Sequence, residues 1–314
     1  MFKYDKRFIA KKAEELDFIQ NTLEKVYRLA DVLAYINSNS MLKEILALKG
    51  GTAINFTIFD LPRLSVDIDL DYLKPVSRDE MLEGRKLITE DIQRHMRNEG
   101  YELSPKSKYH HSLDSFIFSY TNLSGINDNI KIEINYSLRS HIFQAEKCVI
   151  KSPHIVSDYT VNSLSAIEIF GSKINALVSR SAARDLYDVN NMLNFKIFDE
   201  TKYEMLKKCI LFYAAISSKE PFVGFDINRI DSITNNKIKT GLRPVIRKKE
   251  NFDFVAAKVS VKTFISDLLV LTDLEKQFLT CFRKKEYKPE LLFQEPEILD
   301  RIRMHPMALW KIRQ

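Results

Sequence analysis

LKGGTAINFTIFDLPRLSVDIDLD, residues Leu48 to Asp71, joins a Gly-Gly-Thr turn to a run in which acids alternate with apolar residues: Asp67-Ile68-Asp69-Leu70-Asp71. A strand sends successive side chains to opposite faces, so Asp67, Asp69 and Asp71 share one face while Val66, Ile68 and Leu70 are expected to pack inward. Carboxylates this close repel one another. Divalent cations relieve that repulsion, and hard oxygen ligands that leave positions for water and phosphate describe a magnesium site. The alternative is a solvated edge strand with its acids facing water, a use for which acids are poor strand formers.

The segment before the acids adds a phosphate site. Leu46-Ala47-Leu48 reads as a short buried strand, Gly50 and Gly51 allow a tight turn and close approach to a ligand, and Thr52 is a good N-cap for a helix over Ala53 to Phe59. Such an N-terminus offers free N–H groups to an anion. No Gly-Lys-Ser/Thr follows at Walker A spacing, and no G-x-G-x-x-G is present. A Gly-Gly pair alone says little; its coupling to the acid strand is what carries weight.

Two further blocks extend the pattern. Ile130-Lys-Ile-Glu-Ile-Asn-Tyr136 alternates like a second strand, with Ile132 and Ile134 on one face and Glu133 on the other. In IEIFGSKINALVSRSAARDLYDVNN (Ile167 to Asn191), Ile167, Phe170, Ile174, Leu177 and Val178 recur at helical spacing and mark a buried stripe, with Lys173 off it.

The turn followed by an Asp-x-Asp strand resembles the nucleotidyltransferase superfamily built on the polymerase-β-like core. More narrowly, KGGTAIN followed by RLSVDIDLD is similar to the AbiEii/AbiGii toxins of bacterial toxin–antitoxin and abortive-infection systems. Arg63-Leu64-Ser65 stands where that family usually has Arg-Phe-Ser, and Val66 replaces the usual acid, a departure expected on the inward face. Lys173 with Ala176, Leu177, Arg180, Arg184, Asp185, Tyr187 and Asp188 matches the family's Lys-x-x-Ala-Leu…Arg…Arg-Asp-x-Tyr-Asp block.

The resemblance implies transfer of a nucleotidyl group from a nucleoside triphosphate to a hydroxyl, with release of pyrophosphate. It implies two magnesium ions, for which manganese could substitute, on Asp67, Asp69 and Glu133. Gly50, Gly51, Thr52 and Ser65 would form the nucleotide site, with Lys173 as a triphosphate contact and Asp188 as an orienting acid. Arg63, Asp71, Arg180, Arg184 and Asp185 are supporting candidates. The implied acceptor is the 3′ end of a tRNA, and the implied partner is a cognate antitoxin. Ser65, two residues before Asp67, is a candidate control point, because a phosphoryl group there would compete with the acids for metal. Two alternatives stay open: a nucleotidyltransferase acting on a small molecule or protein side chain, and a catalytically silent nucleotide- or RNA-binding protein.

Charge adds to this picture. The formal balance of +6 over 314 residues is modest, but the basic residues cluster late. Lys237, Lys239, Arg243, Arg247, Lys248 and Lys249 form one group, Arg283, Lys284, Lys285 and Lys288 a second, and Arg301, Arg303, Lys311 and Arg313 surround Trp310. Such groups suit nucleic-acid phosphates, and Arg243, Arg247, Lys248 and Lys249 are the RNA-binding candidates; a solvated lysine-rich face is the alternative for any one group. No apolar run reaches membrane-span length and no signal-type apolar segment opens the sequence, so no membrane partner and a cytoplasmic location are expected. Cys148, Cys209 and Cys281 suggest neither a disulfide framework nor zinc.

The expected fold is α+β: a polymerase-β-like core with a mixed β-sheet over residues 1–155, then a mainly helical domain over 156–314. Helices are expected at Lys11 to Ile36 and Asp79 to Asn98, and strands at Ser115 to Tyr120 and Lys131 to Tyr136, with strand signals fading after Pro153. The helix bearing Lys173 would close on the nucleotide from the second domain.

Overall fold

The computed structural model describes the chain except for residues 1, 153, 156–158, 219–221 and 223. It divides into two compact units. The first comprises Met1–Arg139, Ala145–Leu164 and Pro244–Glu250; the second comprises Ser140–Gln144, Ser165–Arg243 and Asn251–Gln314. The first unit runs on through Leu164 because a strand that the sequence hides, β8 (Thr160–Ser163), pairs with its sheet.

Three short strands, β3 (Glu102–Leu103), β4 (Lys108–Tyr109) and β7 (Glu146–Val149), complete that sheet, whose order is β3-β5-β6-β2-β1-β8-β7 with β4 added to β5. Its centre is β1 (Leu46–Lys49), β2 (Asp67–Tyr72) and β6 (Asn127–Asn135); β2 is antiparallel to β1 and parallel to β6, which makes the sheet mixed. β2 is therefore an inner strand, and the reading of its acids as a solvated edge does not hold. β5 (Leu113–Thr121) pairs with β6 across a short turn in which Asn122 Oδ1 accepts from the amides of Ser124 and Ile126. Ile68, Leu70, Ile130, Ile132, Ile134, Phe116 and Phe118 are all buried and form the apolar core of the sheet. Each such side chain contributes about 1.5–3 kcal/mol on burial, which fixes the register against a one-residue slip.

Two helices stand where one was expected from Lys11 to Ile36. α1 (Lys6–Glu15) and α2 (Gln20–Ser38) are separated by Asp17, whose φ of 60° lies in the left-handed region that a continuing helix cannot use. α5 (Arg78–Asn98) follows its expectation closely. Ser77 and Glu80 form a capping box at its start, and Gly100, at φ 83°, follows its end.

The second unit is helical: α6 (Ala166–Arg180), α7 (Ala183–Asn194), α8 (Glu200–Ser217), α9 (Asn235–Gly241), α10 (Phe254–Leu268), α11 (Asp273–Arg283), α12 (Pro296–Ile302) and α13 (Pro306–Ile312). α6 and α7 meet at Ser181, again left-handed at φ 51°. Ile167 is only half-buried, and the buried stripe of α6 runs instead through Ile169, Phe170, Ile174, Leu177 and Val178. The segment Ser140–Gln144 is held to this unit by buried Glu168, whose carboxylate accepts from the amides of Ile142 at 2.9 Å and Phe143 at 3.2 Å and from the Tyr213 hydroxyl. No helix among the described residues is long and apolar enough to cross a membrane.

Candidate active site

The acids of β2 lie on one face because the pleat places them there, and the sheet register completes the group. Asp67 lies opposite Lys131 and Asp69 opposite Glu133 on the parallel neighbour β6, so the side chains of each pair leave the sheet on the same side. Asp67, Asp69 and Glu133 are half-buried. Asp71, also on this face, is 1% exposed, and its carboxylate accepts from Lys49 Nζ. It is thereby a structural partner of the strand that leads into the Gly-Gly turn. Val66, expected inward, precedes the strand and is half-exposed.

Lys131 was not singled out by sequence, although it is two residues from Glu133 and so must share its face. Its ammonium lies 2.9 Å from Glu133 Oε1. Burial pulls its pKa down, but Glu133, Asp67 and Asp69 together raise it above the ordinary lysine value. The three carboxylates therefore already act on one cation in common. Among the described residues no group of three or more His, Cys, Asp or Glu side chains is gathered closely enough to hold a metal ion. The donor set is nonetheless entirely hard oxygen on one face, and it already draws a cation, the Lys131 ammonium, against Glu133, so the residue types fit such an ion.

The turn explains both glycines. β1 runs into α4 (Gly50–Ala53), whose N-cap is Lys49, and a π-helical turn over Ile54–Ile58 follows directly. Gly50 has φ 67°, and a Cβ there would sit 2.5 Å from Asp69 Oδ2, so only glycine lets the Asp69 carboxylate lie against the turn. At Gly51 a Cβ would meet Arg63 Nη2 at 2.8 Å and Ser65 Oγ at 2.9 Å. Thr52 is not the cap. It is fully buried, the third residue of the helix, and its hydroxyl donates to the carbonyl of Asp67, tying the turn to the first residue of the acid strand.

Arg63 is 2% exposed, the largest of the fully buried side chains, and donates to the Leu64 carbonyl at 2.9 Å. Ser65 is also buried. Asn55, which sequence reasoning passed over, links these parts: its Nδ2 donates to the Gly51 carbonyl at 2.8 Å and its Oδ1 accepts from the Arg63 amide. A fully buried asparagine amid Ala-Ile-Asn-Phe was the available signal, since such a group must find partners.

The loop before β2 is braced by a segment from far along the chain. Arg63 bridges Ile246, and the Leu64 amide donates to the Val245 carbonyl at 2.7 Å. Arg247, an RNA-binding candidate, donates to the Leu16 carbonyl at 2.6 Å and lies 4.8 Å from the Phe18 ring centre. The Lys249 amide donates to Asp17 Oδ2 at 2.7 Å. Lys248, Lys249 and Arg243 keep exposed side chains.

In the second unit, Lys173 is buried rather than on an open helix face. Its ammonium lies 3.0 Å from Asp185 Oδ1 and 3.1 Å from Asp188 Oδ2. Arg180 donates to Asp185 at 2.7 Å, and Arg184 donates to the Gly241 carbonyl at 2.7 Å. Burial pushes the Asp185 pKa up, but the opposing pull of Lys173 and Arg180 is larger and leaves it at about 2. Asp185 and Asp188 thus fix where the Lys173 charge sits.

The family model for the AbiEii nucleotidyltransferase toxin of type IV toxin–antitoxin systems matches residues 31–273. That is most of the chain, and it contains Gly50, Gly51, Asp67, Asp69, Glu133, Lys173, Asp185 and Asp188. The chain belongs to the AbiEii toxin family. It is a nucleotidyltransferase, and the family's chemistry takes a nucleoside triphosphate and a divalent metal. Among solved structures it is similar to MenT4, a nucleotidyltransferase toxin from Mycobacterium tuberculosis H37Rv, with 14% identity, a TM-score of 0.66, and coverage of 96% of this chain and 99% of that one. At that identity the likeness concerns the fold. No curated protein matches the sequence significantly.

Proposed function

We propose that this AbiEii-family enzyme transfers a nucleoside monophosphate from a triphosphate to a hydroxyl at the 3′ end of a tRNA, using two magnesium ions. The observation that carries the chemistry is the register of β2 on its two neighbours: pairing with β6 sets Asp67 and Asp69 beside Glu133, and pairing with β1 brings Gly50 against Asp69. Asp67, Asp69 and Glu133 would hold the ions, which when bound lower the pKa of the attacking hydroxyl and offset charge on the leaving pyrophosphate.

The chain's own residues then position and release. The bond from the acceptor oxygen to the α-phosphorus forms as the bond to the β-phosphate oxygen breaks. Backbone N–H groups at Gly50 and Gly51, in a turn that Asn55 ties to Arg63, would donate to phosphate oxygens. Lys131 gives Glu133 a counter-charge and would have to yield it for Glu133 to ligate metal. Lys173, aligned by Asp185 and Asp188, is the cation this reading assigns to the triphosphate.

The test is incubation of purified protein with each α-labelled triphosphate and total RNA, with and without magnesium. Label in the tRNA band, lost when the 3′ hydroxyl is oxidised with periodate, is the expected result. Label entering protein or small molecules instead would move the acceptor to another class.

A further inference from the structure

The formal charge of the chain is concentrated at one place. Residues 283–288 and 300–314 hold eight Lys and Arg and two acids, so the remaining residues carry forty cations against forty acids. The whole surplus of +6 resides in these two short stretches.

The fold joins them. Tyr287, in the turn after α11, donates its hydroxyl to the carbonyl of Ile302 at 2.7 Å, the last residue of α12. This attaches the basic turn Arg283–Lys288 to the basic turn Arg303–His305. Both acids are already matched by neighbours, Glu286 with Lys288 at 2.6 Å and Asp300 with Arg303 at 3.7 Å. Lys284, Lys285, Arg303 and Arg313 are exposed. Arg301, by contrast, serves the fold by donating to the Ile142 carbonyl at 2.9 Å.

Two large apolar side chains stand open among these charges. Met304 is 73% exposed and Trp310 is 49% exposed, with Lys311 Nζ 5.9 Å from the centre of the indole. Trp310 lies about 6 Å along the helix axis from the start of α13, close to the Arg303–His305 turn. The other late basic group lacks this combination, because Arg247 is committed to the Leu16 carbonyl and Phe18.

We propose that this corner of the helical unit is the RNA-docking surface of the enzyme, with Trp310 stacking on an unpaired base and Lys284, Lys285, Arg303 and Arg313 contacting the adjoining phosphates. The inference rests on RNA being the acceptor. An exposed indole set among cations matches a single-stranded segment, which presents flat bases and a charged backbone at once. It also moves the RNA contact away from Arg247.

Trp310 is the sole tryptophan, so its emission reports directly on this surface. The intact protein is titrated with oligoadenylate RNA and with a tRNA transcript over a range of salt concentrations, reading tryptophan emission together with the anisotropy of a label on the RNA. Binding should quench Trp310. Trp310→Ala should weaken binding about tenfold, with partial rescue by Trp310→Phe. Combining Lys284→Ala, Arg303→Ala and Arg313→Ala should reduce the slope of log Kd against log salt by about 2. These side chains are exposed, and an unchanged thermal melt checks that each variant is folded.

RNA that binds without quenching, together with variants that bind like the wild type, would overturn this surface and leave the RNA reading standing. RNA neither bound nor extended by the wild type would overturn both. Quenching by polyglutamate but not by RNA would assign the surface to an acidic protein and overturn the proposal.

Discussion

The two charged groups of this enzyme are built on opposite principles. On the acid face of the sheet, Asp67, Asp69 and Glu133 are half-exposed side chains on a backbone fixed by hydrogen bonds and by the apolar residues of the other face. In the helical unit, Lys173, Asp185 and Asp188 are buried, and Lys173 with Arg180 offsets the two acids. Removing a charge from the first group leaves the fold its own supports. Removing one from the second strands an opposite charge away from water. On the proposed function, the comparison separates acids assigned to chemistry from acids that hold structure.

The largest stability effect is expected at the buried group. Lys173→Met should cost about 3–5 kcal/mol, read as the shift of a urea or thermal unfolding curve, because Asp185 and Asp188 lose their central cation. A Lys173→Met protein as stable as the wild type would show that the buried cluster is not structural and would dissolve the contrast.

A smaller loss is expected where the two principles meet, at the turn. Gly50→Ala forces a left-handed φ on an L side chain and sets its Cβ against Asp69. A cost of about 1–3 kcal/mol is expected, accompanied by loss of transfer because Asp69 is displaced. Full transfer by this variant would show that the close approach of Gly50 and Asp69 is not needed.

The smallest effect concerns pH. His305 is buried, faced by His141 and Glu168, and its Nδ1 accepts from the Ala308 amide. Burial, followed by the like charge of His141, pushes its pKa from 6.5 down to about 3. A folded-state pKa below the unfolded value means that the unfolded chain binds the extra proton, so this contribution to stability is complete above pH 6.5 and is lost as pH falls toward about 3. His305→Asn keeps a helix-capping acceptor and should flatten the fall of Tm over that window by a few degrees. An unchanged Tm profile would remove His305 as a source of acid sensitivity.

The same contrast explains what could be read from the sequence. The acid face was legible because strand alternation is local: Asp67 and Asp69 had to share a side, and Glu133 needed only a neighbouring strand. Gly50 and Gly51 were legible as a turn, but not the reason for each, which lies in Asp69, Arg63 and Ser65 approaching from elsewhere. The break at Asp17 was hidden because its flanks are helical in composition, and β8 because Thr160–Ser163 is short and polar. The burial of Lys173 and the bracing of Arg63 by Val245 and Ile246 depend on contacts distant in sequence, which periodicity does not carry.

The central claim is that Asp67 and Asp69 serve chemistry and not folding. Its most direct measurement is Asp69→Asn, assayed for transfer of label from an α-labelled triphosphate beside a thermal melt of the same preparation. The expected result is a Tm equal to or above that of the wild type, since a like-charge repulsion is relieved, with transfer reduced by about a thousandfold or more, equivalent to roughly 4 kcal/mol of transition-state stabilisation. A folded Asp69→Asn protein that transfers nucleotides near the wild-type rate would contradict the account.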